Sequence, residues 1–342
     1  VVTSRSEADA VRVTRQLEAR HPDARIRPAH LDQFSRSFAE DLRRLNPGIV
    51  LHTAGPYQGQ DYRVAKACLS CGSHYIDLAD GREFVEGFSC LNDSALQRDV
   101  LLISGASTLP GLSSAVVDSL KDRFAQIHDI EICIAPAHQT PRGVSTIAAV
   151  LSYCGKPFQV LVDGIWVTKY GWQDLRIQHH PQLGTRLSGT CDVPDLALFP
   201  KCMIGLRTVT FHAALEAPWE QLALWCMAWL TRFRVVKDWA RYATLFQRVS
   251  NRLISLGSDA GGMRIRLTGT DNANRKKVCT WYLTAGQNHG PEIPCSPALV
   301  LARKLARNQI SQRGAYPCLG MMSFSELTSE MRNFDISWNV TD

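Results

Sequence analysis

Residues 49–57, Ile49-Val50-Leu51-His52-Thr53-Ala54-Gly55-Pro56-Tyr57, decide the fold. Ile49–Thr53 is an apolar run without alternation, the pattern of a strand buried on both faces of a parallel sheet. An amphipathic segment precedes it, Phe34–Leu45, with Phe34, Phe38, Leu42 and Leu45 at helical spacing; Asn46-Pro47-Gly48 stops that helix. A turn of small residues follows, then a second helix, Gln60–Cys71, closed by Gly72. The same unit recurs on both sides. Downstream come a strand at Tyr75–Leu78, a helix at Cys90–Arg98, a strand at Val100–Ile103 and a helix at Leu112–Phe124. Upstream, Val1–Thr3 is a short strand. Ser6 caps a helix that carries Asp9 three residues on and Ala10, Val13 and Leu17 on its apolar face. Ala24–Pro28 is a further strand, ending at Leu31-Asp32. A repeat of about 30 residues per strand–helix unit argues for right-handed crossovers. The expected fold class is α/β, a Rossmann-type doubly wound parallel sheet. Val1 already has strand character, so Val1–Thr3 is expected to be the second strand of that sheet. The first βα unit, with its glycine loop, is then expected to be missing from the sequence, and without those amides the chain is expected to bind a dinucleotide poorly.

After residue 125 the texture changes. Ile130, Ile132 and Ile134 alternate with polar residues. Gln159–Thr168 holds Asp163-Gly164 between two β-rich runs, a type I′ hairpin signal. Met263, Ile265 and Leu267 alternate with Arg264, Arg266 and Thr268, and the polar turn Asp271–Asn274 leads back into Val278–Leu283. A second α+β domain with a largely antiparallel sheet is expected over 125–298. The Rossmann domain spans 1–124, and C-terminal helices, 299–342, return to it. Trp219–Leu256 is helical and rich in tryptophan, with Arg232, Arg234 and Lys237 behind its apolar part. Two readings stand: an interfacial membrane helix, or a helix buried between domains or in a homodimer interface.

Composition excludes several classes. The net charge of +6 is spread among acids, so no nucleic-acid footprint is present. The 11 cysteines have no framework spacing and no signal peptide opens the chain, which favours a reducing, cytoplasmic setting. Cys68 and Cys71 form a CxxC at the end of a helix rather than at its start, so they read as structural. No metal-ligand spacing occurs, and His179-His180 has no partner motif.

Ligands of a doubly wound sheet bind beyond the carboxyl ends of its strands. Four loops qualify here. In Ser4-Arg5-Ser6 the acid that would accept from an NAD ribose is absent; Arg5 suits the 2′-phosphate of NADP, or it is a solvated surface residue. Asp32 either contacts the adenine or caps the helix after it. Thr53-Ala54-Gly55-Pro56-Tyr57 is small enough for backbone to approach a nicotinamide ribose. Gly105 opens the long loop Ser104–Gly111, whose following helix could face an anion.

These residues together carry a family resemblance. His52–Tyr57 with Gly59, Gly72–Asp80, and Leu109-Pro110-Gly111 resemble, in order, three segments of saccharopine dehydrogenase-like oxidoreductases. Asp163-Gly164, Gly290–Pro294 and Arg313-Gly314-Ala315 also look like family positions. The resemblance implies an NADP-binding Rossmann domain and a second domain over a small-molecule substrate. It also implies hydride transfer to or from a C–N bond, or in other members to a lipid-like C=C bond. Leu109 stands where saccharopine reductases carry an acid, which argues against saccharopine itself. The protein would then orient substrate and handle a proton. Tyr75, Asp77 and Asp80 are candidates for that role, or the two aspartates are caps. Pro110, Gly111, His138, Arg142 and Thr146 are candidates for substrate contact, Arg142 by gripping a carboxylate. The other functional class is a non-catalytic Rossmann-like binding protein.

Overall fold

The computed structural model describes all 342 residues. In the first half, strands β1 (Val2–Ser4), β2 (Pro28–His30), β3 (Ile49–His52), β4 (His74–Asp77) and β5 (Leu101–Ser104) alternate with helices. The helices are α1 (Glu7–Arg20), α2 (Phe38–Leu45), α3 (Arg63–Cys71), α4 (Arg82–Glu86), α5 (Asn92–Gln97) and α6 (Ser113–Leu120). Every pairing among these strands is parallel. They lie in two sheets: β1 pairs with β2, while β3, β4 and β5 form part of a separate four-stranded sheet. β1 and β3 therefore each keep one edge without a strand partner. Ile76, Leu101, Leu102 and Ile103 are fully buried, as a parallel sheet requires. β3 departs from that expectation: Leu51 is 44% exposed, because β3 pairs only with β4 and forms the sheet edge.

Local side chains explain the shifted boundaries. Ser6 Oγ accepts from the Asp9 amide at 3.2 Å, the expected cap of α1. The helix expected from Phe34 begins only at Phe38. Asp32 Oδ1 accepts from the Phe34 amide (3.0 Å) and Ser35 Oγ from the Ser37 amide (3.2 Å), which holds 32–37 in a turn. Phe34 is left exposed, with the Arg63 guanidinium over its ring. The strand expected at 24–28 lies at Pro28–His30, set by parallel register to Val2–Ser4. The segment 90–98 splits into a 3₁₀ turn, Phe88–Leu91, and α5.

The second half holds β6 (Gln126–Ala135), α7 (Val144–Ser152), β7 (Pro157–Val162), β8 (Ile165–Tyr170), β9 (Arg176–His180), β10 (Gly184–Thr190), α8 (Asp195–Cys202) and β11 (Thr208–Leu215). Next come α9 (Pro218–Arg232), α10 (Ala243–Leu253), β12 (Gly261–Thr270), β13 (Lys276–Ala285), α11 (Glu292–Ala306), β14 (Gly314–Pro317), α12 (Phe324–Met331) and β15 (Ile336–Thr341). Seven strands join in the order β15-β13-β12-β6-β11-β10-β9, antiparallel except for β6 beside β11. Asp163 and Gly164 both have positive φ, 50° and 80°, as the β7–β8 turn predicted. The C-terminal segment is more than helices. β14 lies parallel beside β5 and β15 antiparallel beside β13, so it adds one strand to each large sheet.

One apolar core runs through both halves. Val116 and Leu120 of α6 pack in it with Ile130 and Ile132 of β6, Ile265 and Leu267 of β12, and Leu301 of α11. Trp219–Leu256 is two helices, and of α9 only Gln221, Met227 and Ala228 are buried. The expectation that this segment is buried between domains is thus not met. Gly171, after β8, approaches the end of α7 so closely that a Cβ would lie 2.1 Å from the Tyr153 carbonyl oxygen. Gly171→Ala must displace backbone rather than a side chain. It is expected to cost about 1–3 kcal/mol, read as a lowered midpoint in thermal or urea unfolding.

Candidate functional site

Parallel pairing carries the loops after β1 through β5 to the carboxyl edges of the two parallel sheets. Arg5, after β1, is exposed and makes no hydrogen bond or ion pair in the chain. Its neighbours are committed to the turn: Ser4 Oγ accepts from the Ser6 amide at 3.2 Å, and Ser6 is the α1 cap. Asp32 holds the turn at 32–37 through the Phe34 amide and caps no helix, since α2 starts at Phe38 with Ser37 before it. Thr53 and Ala54 are open to solvent. Gln60 Nε2 donates to the Ala54 carbonyl (2.9 Å) and the Pro56 carbonyl (2.6 Å), which gives this loop its shape. Gly55-Pro56 and Leu109-Pro110 are cis peptides.

Behind these loops lies a buried polar cluster. Tyr57 donates to the His52 carbonyl at 2.6 Å, and the Tyr75 hydroxyl meets His52 Nδ1 at 2.8 Å. Burial pushes His52 down to about 4, so its ring is neutral at pH 7. Asp77 is wholly enclosed. Its Oδ1 accepts from the Ala79 amide (2.9 Å), Ser104 Oγ (3.0 Å) and the Gly105 amide (2.7 Å). Burial nonetheless pushes its carboxyl up to about 6, against which those donors work. Tyr75 and Asp77 are therefore interior groups, and Asp77 ties the end of β4 to the loop after β5.

Of the three candidates for the proton, only Asp80 reaches solvent. Gln58 Nε2 donates to its Oδ1 at 3.1 Å, and desolvation by the surrounding walls raises its carboxyl. Gln58 Oε1 is buried without a partner. The second domain meets this region at Arg82. Arg82, at the start of α4, donates to the Gln159 carbonyl (2.7 Å) and to Asp192 (3.1 Å). Burial raises the Tyr153 phenol well above its ordinary value, and the neighbouring Cys191 adds to this. Tyr153 stacks on Trp172 at 6.1 Å and 13°. Trp172 holds a left-handed φ of 64°, a strained backbone for a bulky residue. Its indole donates to the Val150 carbonyl at 3.0 Å and its amide to the Thr190 carbonyl at 2.8 Å, contacts that hold the strained turn in place.

The loop Ser104–Gly111 packs inward. A Cβ on Gly105 would lie 2.7 Å from Pro110 Cδ, and one on Gly111 2.9 Å from Pro297 Cβ. Gly105, Pro110 and Gly111 are buried, so the expected ligand contacts are packing contacts instead. The far end of the loop is held by a second enclosed carboxylate, Asp195, to which Ser113 Oγ donates. Burial pushes Asp195 up to about 7. His138 and Arg142 lie elsewhere in the second domain. His138 Nε2 meets the Leu253 carbonyl at 2.9 Å and Nδ1 lies 3.5 Å from Glu220. The Arg142 carbonyl accepts from Gln247, and its guanidinium is pulled down by burial with Glu220 opposing. Thr146 is exposed on α7. No polar contact joins these three to Asp80. No group of three or more His, Cys, Asp or Glu is disposed to hold a metal.

The fold and this edge define a two-domain Rossmann-type α/β protein. Among solved structures, apo saccharopine dehydrogenase (L-Glu forming) from Saccharomyces cerevisiae matches with a TM-score of 0.67 at 11% identity, over 99% of this chain and 93% of that one. An engineered D-amino acid dehydrogenase bound to NADP+ matches at 0.46 and 13% identity, over 95% and 94%. A probable dehydrogenase from Thermotoga maritima matches at 0.42 and 10%, over 96% and 84%. No family model and no curated protein matches the sequence. The likeness to the yeast enzyme is one of fold.

Sequence reasoning missed Gln58, Arg82, Tyr153, Asp192 and Asp195. Arg82 and Asp192 are 110 residues apart, so no local pattern links them. Asp195 follows Pro194 at a helix start, which is an ordinary cap signal and hides its burial.

The raised carboxyls of Asp77 and Asp195 bind protons more tightly folded than unfolded. Their contribution to stability is therefore greatest in acid and falls as pH rises from the ordinary 3.8 through about 6 and about 7. Thermal midpoints between pH 5 and pH 8 are expected to decline on this account. Asp195→Asn, which keeps an acceptor for Ser113 without a charge, should flatten the decline and raise the midpoint at pH 8.

Proposed function

We propose that this protein is an NADP(H)-dependent oxidoreductase of the saccharopine dehydrogenase-like kind, acting on a C–N or C=C bond of a small metabolite or lipid-like substrate. The observation that carries the proposal is Arg5: an uncommitted guanidinium at the carboxyl end of a parallel strand, where an acid would serve NAD. Arg5 would pair with the 2′-phosphate, with Ser4 and Ser6 beside it. The exposed Thr53-Ala54-Gly55 backbone would lie against the ribose next to the nicotinamide. The unpartnered Gln58 Oε1 supplies an acceptor for a donor on cofactor or substrate. The cofactor, when bound, supplies or accepts the hydride. The chain's part is to place the substrate and handle the proton. Asp80 is the group suited to that: it is open to solvent and its carboxyl is raised.

The test is titration of NADPH and NADH, followed by nucleotide fluorescence, into the polypeptide as its gene encodes it. NADPH is expected to bind roughly tenfold or more tightly than NADH, one charge-assisted pair's worth, and Arg5→Ala to erase the difference. Equal affinities in the unmutated protein would remove Arg5 from the site. Binding of neither nucleotide would overturn the oxidoreductase reading and favour the non-catalytic one.

A further inference from the structure

Helices α9 and α10 carry their apolar residues outward. On α9, Trp219, Leu222, Cys226 and Leu230, continued by Phe233, recur at intervals of three and four, which is one face of a helix. All are exposed, Phe233 to 70%. On α10 and its flanks, Tyr242, Leu245 and Val249 repeat that spacing, and Leu256 falls on the same face two turns on; Leu245 is 57% exposed and Leu256 70%. The connecting turn adds Val235 at 69%. Solvent-facing stripes on two successive helices exceed the scattered apolar residues of an ordinary surface.

The charge beside these stripes is of one sign. Arg234, Lys237, Arg241, Arg248 and Arg252 are exposed, and none of their side chains makes a hydrogen bond or ion pair. Between Trp219 and Leu256 the only acids are Glu220 and Asp238. Glu220 faces His138, and Asp238 lies 3.9 Å from Lys156. On α10 the arginines at 241, 248 and 252 share one flank of the Tyr242–Val249 stripe. Two copies of this face brought together would oppose five free cations to five. A surface that is negative and apolar beneath matches both features at once.

We propose that Trp219–Leu256 is a docking surface for an anionic lipid bilayer. Both helices lie in the plane of the interface, with the aromatic and aliphatic stripe among the headgroups and acyl chains and the cations against lipid phosphates. Neither helix crosses, since no helix is long and apolar enough to span a membrane. The proposal uses neither Arg5 nor Asp80, so it stands or falls apart from the cofactor reading.

Vesicle co-sedimentation of the 342-residue chain tests it, with phosphatidylcholine vesicles against vesicles that also contain phosphatidylglycerol. Binding is expected to the anionic vesicles only, with a blue shift of tryptophan emission, and to weaken at high salt. Arg248→Glu with Arg252→Glu should lower partitioning roughly tenfold or more. Leu245→Ser with Phe233→Ser should lower it at unchanged charge. Lys276→Glu, at the far end of the β12–β13 ribbon from Leu256, should leave it as it was. Unchanged thermal midpoints would show that the variants fold. Failure to bind, or equal binding to both vesicle types, overturns the proposal. So does concentration-dependent self-association that Leu245→Ser with Phe233→Ser abolishes, since the face would then be a protein interface.

Discussion

The enclosed carboxylate of Asp77 is the constraint on which the site depends. One oxygen collects the Ala79 amide, the Ser104 hydroxyl and the Gly105 amide, so a single side chain sets the end of β4, the end of β5 and the start of the loop between β5 and α6. Asp195 does the same from the second domain at the far end of that loop, through Ser113. Burying carboxylates is costly unless donors meet them. Here the donors are partial, for Asp77 Oδ2 and Asp195 Oδ2 find no partner. The two groups relieve the cost by holding protons more tightly. Gly105, Pro110 and Gly111 pack inward, while Asp80 stays open to solvent.

The larger apolar cluster is shared by both domains, and a second fills the parallel-sheet half. α6 is a helix of the parallel sheet, yet Val116 and Leu120 pack against β6 and β12. Arg82 reaches from α4 to Asp192 and the Gln159 carbonyl, and Lys201 reaches back to Glu86 at 2.7 Å. β14 and β15 add a strand to each large sheet from one C-terminal segment. In the second domain Tyr153 stacks on Trp172, which sits in a strained turn. Strain of that kind persists only where surrounding contacts over-determine the backbone.

The outer surface of α9 and α10 follows a different logic. On α2 the apolar periodicity points inward, through Phe38 and Leu42. On α9 and α10 the same periodicity points to solvent, and the cations beside it have no acids to answer them. Amphipathic spacing states that a helix has two faces and does not state which one the fold will cover.

The sequence by itself determined the strand–helix alternation, the change to antiparallel hairpins after residue 125, the caps at Ser6 and Gly72, and the turn at Asp163-Gly164. Each of these is set within a few residues by hydrogen bonding and steric preference, so a local pattern suffices. It also placed Arg5 and the Thr53–Gly55 loop at strand ends, since parallel pairing leaves no other position for them. Tertiary structure alone decided that Tyr75 and Asp77 are enclosed while Asp80 is open, because adjacent residues on one strand end differ only in what other chain segments cover them. The same holds for Arg82 with Asp192 and for Asp195 with Ser113. Their energies come from desolvation and charge between segments 80 or more residues apart, or from opposite domains, and no local pattern records that distance.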